Sequence, residues 1–150
     1  NMIKKILITG IPGSGKTTLA KPFSELINGI HINADDIRTK YDDWDFSDKG
    51  RMRQAYRMKH ICDGVVMAGK IAVADFVCPN IFTQKAFDAD YIVWMDTLKE
   101  SQYQDTNDIF MKPDKIDYHV NKWFNDTHDQ LVKVVKNYML RQQDKPTERL

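Results

Sequence analysis

Short apolar runs alternate along this chain with longer stretches whose apolar positions recur every three to four residues. The first run, Met2 to Thr9 with Ile6-Leu7-Ile8 at its heart, predicts a buried strand. Leu19, Phe23, Leu26 and Ile27 then keep helical spacing and predict a helix from about Lys16 to Ile27. Pro22 falls in its early turns, where it costs a hydrogen bond or bends the axis. Asn28-Gly29 ends it, and Ile30-His31-Ile32 forms a short second strand. Residues 41 to 46 are acidic and aromatic and predict a loop. Ser47 is placed to cap a long helix to about Ala68, with Tyr56, Ile61, Val65, Met67 and Ala68 as its partly apolar face. Gly69 ends that helix. Ile71 to Val77 predicts a third strand, apolar enough to be covered on both faces, and Pro79 stops it. A short helix over Ile81 to Phe87 and a fourth strand over Tyr91 to Asp96 follow. The stretch 97 to 115 is polar, contains Pro113, shows little periodicity and predicts a loop. Ile116 to Val120 predicts a fifth strand. Asp126 or Thr127 caps a last helix carrying Leu131, Val132, Val135, Tyr138 and Met139 on one face, and Lys145 onward predicts a frayed tail.

Strands alternating with helices imply an α/β fold: a parallel sheet of about five strands in a three-layer α/β/α sandwich, within one domain over residues 1–150. Composition changes this picture little. Hydrophobic content of 42% and charged content of 29% suit a soluble globular protein. A net charge of +1 leaves no polyanion footprint and disfavours a long nucleic-acid partner. Cys62 and Cys78 lack ligand spacing and predict free thiols in a reducing compartment. No run approaches the ~18 apolar residues that cross a bilayer. No signal-peptide pattern opens the chain, and Asn1 ahead of Met2 reads as an addition to the natural sequence. The expectation is a cytoplasmic protein without a membrane partner. His31, His60, His119 and His128 show no ligand spacing and receive no role.

The candidate chemistry centres on Gly10-Ile11-Pro12-Gly13-Ser14-Gly15-Lys16-Thr17. This fits G-x-x-x-x-G-K-[ST], the phosphate-binding loop, between a predicted strand and a predicted helix. Gly10, Gly13 and Gly15 allow the backbone to approach a phosphate with no Cβ in the way, so that successive N–H groups, Ser14 and Thr18 included, cradle the anion. The helix N-terminus adds about half a positive charge there. Lys16 can reach the β- and γ-phosphates, and the Thr17 hydroxyl can ligate Mg²⁺. ATP and Mg²⁺ are the expected cofactors.

Three further constellations bear on the reaction. Asp35-Asp36-Ile37-Arg38 follows the second strand, where open α/β sheets bind ligands. Asp35 suits a group that orients or deprotonates an accepting hydroxyl, and Arg38, one helical turn on, suits the acceptor's charge. The bland alternative is an acidic helix start. Arg51 and Arg57 lie on the basic half of the long helix and either flank a groove or stand in solvent. Asp75 at the end of the third strand occupies the place of a Mg²⁺-shell carboxylate, and Phe76 beside it either stacks on a base or joins the core.

Together these residues resemble adenylyl-sulfate (APS) kinases, which phosphorylate the 3′-hydroxyl of adenosine 5′-phosphosulfate with ATP. The loop Gly10 to Thr17 matches that family's GxxGxGKT, and Ile32-Asn33-Ala34-Asp35-Asp36-Ile37-Arg38 stands where it has L-D-G-D-N-x-R. The resemblance implies that Asp35 is the catalytic acid–base group and that Arg38 binds substrate. Phe46-Ser47, Arg51 and Arg57 match parts of F-S-x-x-D-R-x-x-N-x-R-R, while Gly50, Gln54 and Tyr56 depart from it. Phe76-Val77-Cys78-Pro79 matches F-I-S-P, which implies that Phe76 stacks on the substrate adenine. The likeness covers residues 3 to 96. Beyond it the family's basic lid is missing, Tyr103 to Pro113 standing where a post-lid loop would be. Thr83 and Gln84 occupy positions where arginines are expected. The resemblance further implies a role in sulfate assimilation and a homodimer. A second resemblance, to polynucleotide 5′-hydroxyl kinases, rests on G-x-P-G-S-G-K-[ST] and on N-I-N-x-D-D-x-R against His31 to Arg38.

The expected protein is therefore an ATP-dependent kinase: Lys16 and Asp35 catalytic; Gly10, Gly13, Ser14, Gly15, Lys16, Thr17 and Thr18 on the nucleotide; Arg38, Arg51, Arg57 and Phe76 on the acceptor; Thr17 and Asp75 on the metal. The rival from another class is a nucleotide-binding module without kinase activity, to which the missing lid and the altered Asp/Asn pair are suited.

Overall fold

The computed structural model describes residues 2–98 and 101–143. Five strands, β1 (Lys5–Thr9), β2 (Ile30–Asn33), β3 (Ala72–Asp75), β4 (Tyr91–Met95) and β5 (Tyr118–Val120), form one parallel sheet in the order β2-β3-β1-β4-β5. The helices are α1 (Lys16–Leu26), α2 (Ala34–Tyr41), α3 (Asp48–Met67), α4 (Ile81–Phe87), α5 (Gln104–Ile109) and α6 (Thr127–Gln143). The α/β architecture expected from the alternating pattern is the one observed.

β1 lies at the centre of the sheet and every residue of it is buried. Its alternate side chains feed two cores. Ile6 and Ile8 pack with Leu19 and Phe23 of α1 and Leu131 and Val135 of α6. Leu7 packs on the other face with Ala55, Met58 and Cys62 of α3 and Phe87 of α4. Both faces of a parallel sheet must be covered, which is why its strands read as continuous apolar runs. The one charge in β1, Lys5, is 6% exposed; its Nζ donates to Asp63 Oδ1 at 2.8 Å and lies over the Phe87 ring. Cys62 and Cys78 are free and buried, and burial pushes both thiols up to about 12.

Two elements differ from expectation. The buried face of α3 is Gly50, Arg51, Gln54, Ala55, Met58 and Cys62, whereas Tyr56 and Met67 are exposed. Small side chains let the helix sit close on the sheet, and its polar first turns face a cleft instead of a core. Ser47 does cap it, accepting from Gly50 N–H at 3.2 Å. Within the stretch expected to be a loop lies α5, which carries no apolar periodicity. It is held by local polar bonds, Asn107 Oδ1 accepting from Ser101 N–H and Oγ at 2.8 Å each, and by docking of Met111 N–H onto Pro79 O at 2.6 Å. The expected tail from Lys145 lies outside the described residues. No helix among the described residues is long and apolar enough to cross a membrane.

Candidate active site

The glycine loop joins β1 to α1 at the carboxyl edge of the sheet. Gly13 and Gly15 take φ of 83° and 93°, the left-handed region that glycine enters without a Cβ penalty. Gly10 needs its missing side chain for space: a Cβ there would stand 2.6 Å from Met95 O and 2.7 Å from Ser14 Oγ. Thr97 Oγ1, just past β4, donates to Ser14 O at 2.6 Å and pins the loop from behind. Ser14 Oγ is the one buried side-chain polar atom among the described residues with no hydrogen-bond partner. Its oxygen faces Gly10 on the inside of the loop. Lys16 is buried, its Nζ donating to Ile11 O at 3.0 Å across the loop. Burial lowers the Lys16 ammonium to about 8, against the opposing pull of Asp75 and Asp35.

Thr17, in the first turn of α1, meets the end of β3. Its hydroxyl donates to Asp75 Oδ1 at 3.2 Å, and Asp75 is 2% exposed. This hydroxyl–carboxylate pair is the hard oxygen donor set that suits Mg²⁺ arriving with a nucleotide. Among the described residues there is no group of three or more His, Cys, Asp or Glu that could hold a metal ion.

α2 begins as β2 ends. Asn33 caps it, accepting from Asp36 N–H at 2.9 Å, and its amide donates back to Asp75 Oδ1 at 3.1 Å and Thr17 Oγ1 at 3.2 Å. Asp35, exposed in the first turn, is thereby held beside the Thr17–Asp75 pair. Sequence reasoning gave Asn33 no role. The signal for its cap lay in Asn followed by Asp-Asp, whereas its reach to Asp75 depends on strand pairing.

The acceptor side is built on the loop between α2 and α3. Arg38, 5% exposed, donates to the carbonyls of Asp43 (2.8 Å) and Asp45 (3.3 Å) and stacks over the Phe46 ring at 4.4 Å. Burial lowers its guanidinium from the usual arginine range. Arg51 donates through Nε to Phe46 O at 2.9 Å and through Nη2 to Thr106 Oγ1 of α5 at 3.3 Å. Arg57 is placed otherwise: its Nη1 donates to Asp43 Oδ2 at 3.1 Å and its guanidinium lies over Tyr41. Arg53 joins it on Asp43 at 2.8 Å, and these bonds hold the Asp43 carboxyl well below its usual range.

A cleft of about 750 Å³ opens between these parts. Gly13, Gly15, Lys16, Thr17 and Thr18 of the glycine loop and α1, the carboxylates Asp35 and Asp75, and Arg38, Arg51 and Phe76 all line it. Arg57, Gly10 and Ser14 are not in its wall. Phe76 meets Phe87 edge-on at 5.3 Å and still contributes to the wall, so it serves core and cleft together. Trp44 and Phe46 from the α2–α3 loop, and Gln102, Tyr103 and Thr106 from the α5 strap, complete the rim. The strap's contribution was not visible in the sequence, because it is polar and gains order from docking.

Residues 6–145 match the family described as "AAA domain". The chain belongs to the AAA domain family. The fold of this AAA domain is shared by the APS kinase of Mycobacterium tuberculosis in complex with AMPPNP and APS, at a TM-score of 0.72 and 14% identity over 90% of this chain and 98% of that one. A gluconokinase from Sinorhizobium meliloti 1021 gives 0.59 and 12% over 95% and 94%, and a shikimate kinase from Acinetobacter baumannii in complex with shikimate gives 0.56 and 16% over 95% and 96%. No curated protein matches the chain in sequence. At these identities the likeness establishes the fold of P-loop kinases.

Two predictions arise from the geometry of this AAA domain. Gly50→Ala places a Cβ 2.1 Å from Asp45 O. Glycine to alanine inside a helix ordinarily stabilises by up to ~1 kcal/mol. Here the clash with backbone reverses the sign, and denaturant unfolding is expected to show a loss of about 2–3 kcal/mol. Stability unchanged or raised would mean that the 43–46 loop yields freely. The second concerns pH. Near pH 8 about half of the free protein carries a neutral Lys16, whereas a bound triphosphate favours the ammonium. ATP binding at pH 8 is therefore expected to take up about half a proton, and affinity to fall toward tenfold per pH unit above it. Calorimetry in buffers of different ionisation enthalpy reads this directly, and buffer-independent heats would refute it. The sign for folding is opposite: between about 8 and 10.5 the native state has lost a proton that the unfolded chain keeps, so stability rises with pH.

Proposed function

We propose that the protein is an ATP-dependent kinase whose acceptor is a small anionic nucleotide, adenosine 5′-phosphosulfate or a similar molecule phosphorylated on its 3′-hydroxyl. The observation that carries this is one cleft whose wall contains Lys16 and Thr17, Arg38 and Arg51, and the carboxylates Asp35 and Asp75 together. A hydrolase would need a group to position water there. A kinase needs a carboxylate beside a cationic acceptor pocket, which is what the cleft offers. The aromatic lining, Trp44, Phe46, Phe76 and Tyr103, suits a base-bearing acceptor better than a bare sugar. The fold shared with the M. tuberculosis complex adds support.

Bound MgATP supplies the phosphoryl group. Gly13, Gly15, Lys16 and Thr18 would hold its phosphates by backbone N–H and ammonium, and Thr17 and Asp75 would hold the metal. Asp35 orients the acceptor hydroxyl and takes its proton. Arg38 and Arg51 bind the acceptor's anionic groups, and Phe76 stacks on its base. Arg57 acts at one remove, holding Asp43 and with it the loop whose carbonyls fix Arg38. Most of the rate enhancement comes from position and fixed charge.

The test is ADP release with MgATP, comparing adenosine 5′-phosphosulfate with a short 5′-hydroxyl oligonucleotide. Turnover with the first is the expected result. Turnover with the oligonucleotide alone would assign the protein to end repair, and silence with both despite ATP binding would leave a nucleotide-binding module.

A further inference from the structure

β2 and β3 pair in a register that sets His31 beside Val73 and Asn33 beside Asp75. Because strand side chains alternate, His31 and Asn33 project to the same face, and both reach the Asp75 carboxylate. Oδ1 accepts from Thr17 Oγ1 at 3.2 Å and Asn33 Nδ2 at 3.1 Å. Oδ2 accepts from Asn33 Nδ2 at 3.2 Å and is in contact with His31 Nε2. The carboxylate is thus gripped on both oxygens, and its side chain is 3% exposed. His31 is not in the wall of the cleft; it lines a second groove that shares Thr17, Asn33 and Asp35 with the cleft.

We propose that His31 is a positioning residue for the metal end of the site, acting through Asp75 on Thr17; this rests on the nucleotide-binding reading above. Its effect turns on where the Thr17 hydroxyl hydrogen goes. A hydroxyl has one hydrogen and two lone pairs. Asp75 Oδ1 takes the hydrogen and the Asn33 amide occupies one lone pair. The other lone pair is left for a cation. This holds only while Oδ1 keeps facing Thr17. Asn33 alone cannot ensure that, since its amide is shared among Thr17 Oγ1 and both Asp75 oxygens. His31 secures Oδ2 and so fixes the carboxylate's rotation. Partners that orient a metal's ligands typically change its affinity by about 10–100-fold when removed.

The experiment measures the affinity of AMPPNP, a non-hydrolysable ATP analogue, by calorimetry with saturating Mg²⁺ and with EDTA. The ratio of the two affinities is the metal's contribution, and it needs no turnover. In H31F and H31N, neither of which can donate to Oδ2 from the imidazole Nε2 position, the ratio is expected to fall about tenfold while the metal-free affinity stays within about twofold of wild type. H31Q, whose amide nitrogen can take the place of Nε2, is expected to recover most of the ratio. An unchanged ratio in H31F and H31N overturns the proposal. So does an equal loss with and without Mg²⁺, which marks a purely structural role, and so does failure of H31Q to recover. Wild-type protein that binds no AMPPNP would overturn the kinase reading and this inference together, whereas normal wild-type binding with an unaffected variant overturns this inference alone.

Discussion

Lys16→Ala is expected to lose phosphoryl transfer by at least about a thousandfold, roughly 4 kcal/mol of transition-state stabilisation, while the protein stays folded. The ammonium sits 8% exposed at the mouth of the loop, with Ile11 O as its hydrogen-bond partner. Its burial is unfavourable, as the lowered pKa shows, so the fold gains little from it. A triphosphate would add negative charge to that of Asp75 and Asp35 beside the ammonium, and charge developing on the transferring group would be met in a largely dry loop, where a fixed cation counts most. Removing the ammonium therefore costs function and spares stability. Single-turnover kinetics beside a thermal-unfolding curve separates the two. Wild-type turnover in the variant would sink the mechanism. A collapsed unfolding temperature would mean that the lysine is structural.

Asp35→Asn is expected to lower turnover by about 10²–10⁴-fold with ATP affinity within about threefold of wild type. Asp35 is exposed to the cleft in the first turn of α2, and the Asn33 cap that starts this helix also binds Thr17 and Asp75. The carboxylate is therefore held in a fixed relation to the nucleotide end of the site without being part of the cradle. Asparagine keeps the size and the helix start but cannot take a proton. The measurements are steady-state kcat and calorimetric ATP affinity. Equal loss of both would indicate that Asp35 serves mainly to offset the charge of Lys16, to which it is electrostatically linked.

The two sides of the cleft were unequally legible before the fold was known. The donor side was explicit, because a phosphate cradle is made by consecutive backbone groups and so must be written consecutively: Gly13 and Gly15 do take the left-handed conformations that the motif requires. The acceptor side was only partly so. Arg38 and Arg51 do line the cleft, but Arg57, six residues along the same helix from Arg51, turns away to Asp43 and Tyr41. Arginine-to-carboxylate pairing across a loop leaves no periodic mark. Nor did the apolar residues Tyr56 and Met67 forecast the face that α3 buries, since close packing against a sheet selects for small side chains as well as apolar ones.

What the sequence by itself determined is local in origin. It set the alternation of strands and helices, the cap at Ser47, the glycine loop and the hydrophobic content of both cores, each written within a few residues of where it acts. The tertiary structure alone decided the rest. The strand order put β3 between β1 and β2, so that Asp75 meets Thr17 of α1, the helix that follows β1, and His31 and Asn33 of β2. The docking of α5 gave Arg51 its partner Thr106, 55 residues away in sequence. Contacts at such separation come from parallel pairing and crossover connections, and no window of neighbouring residues contains them.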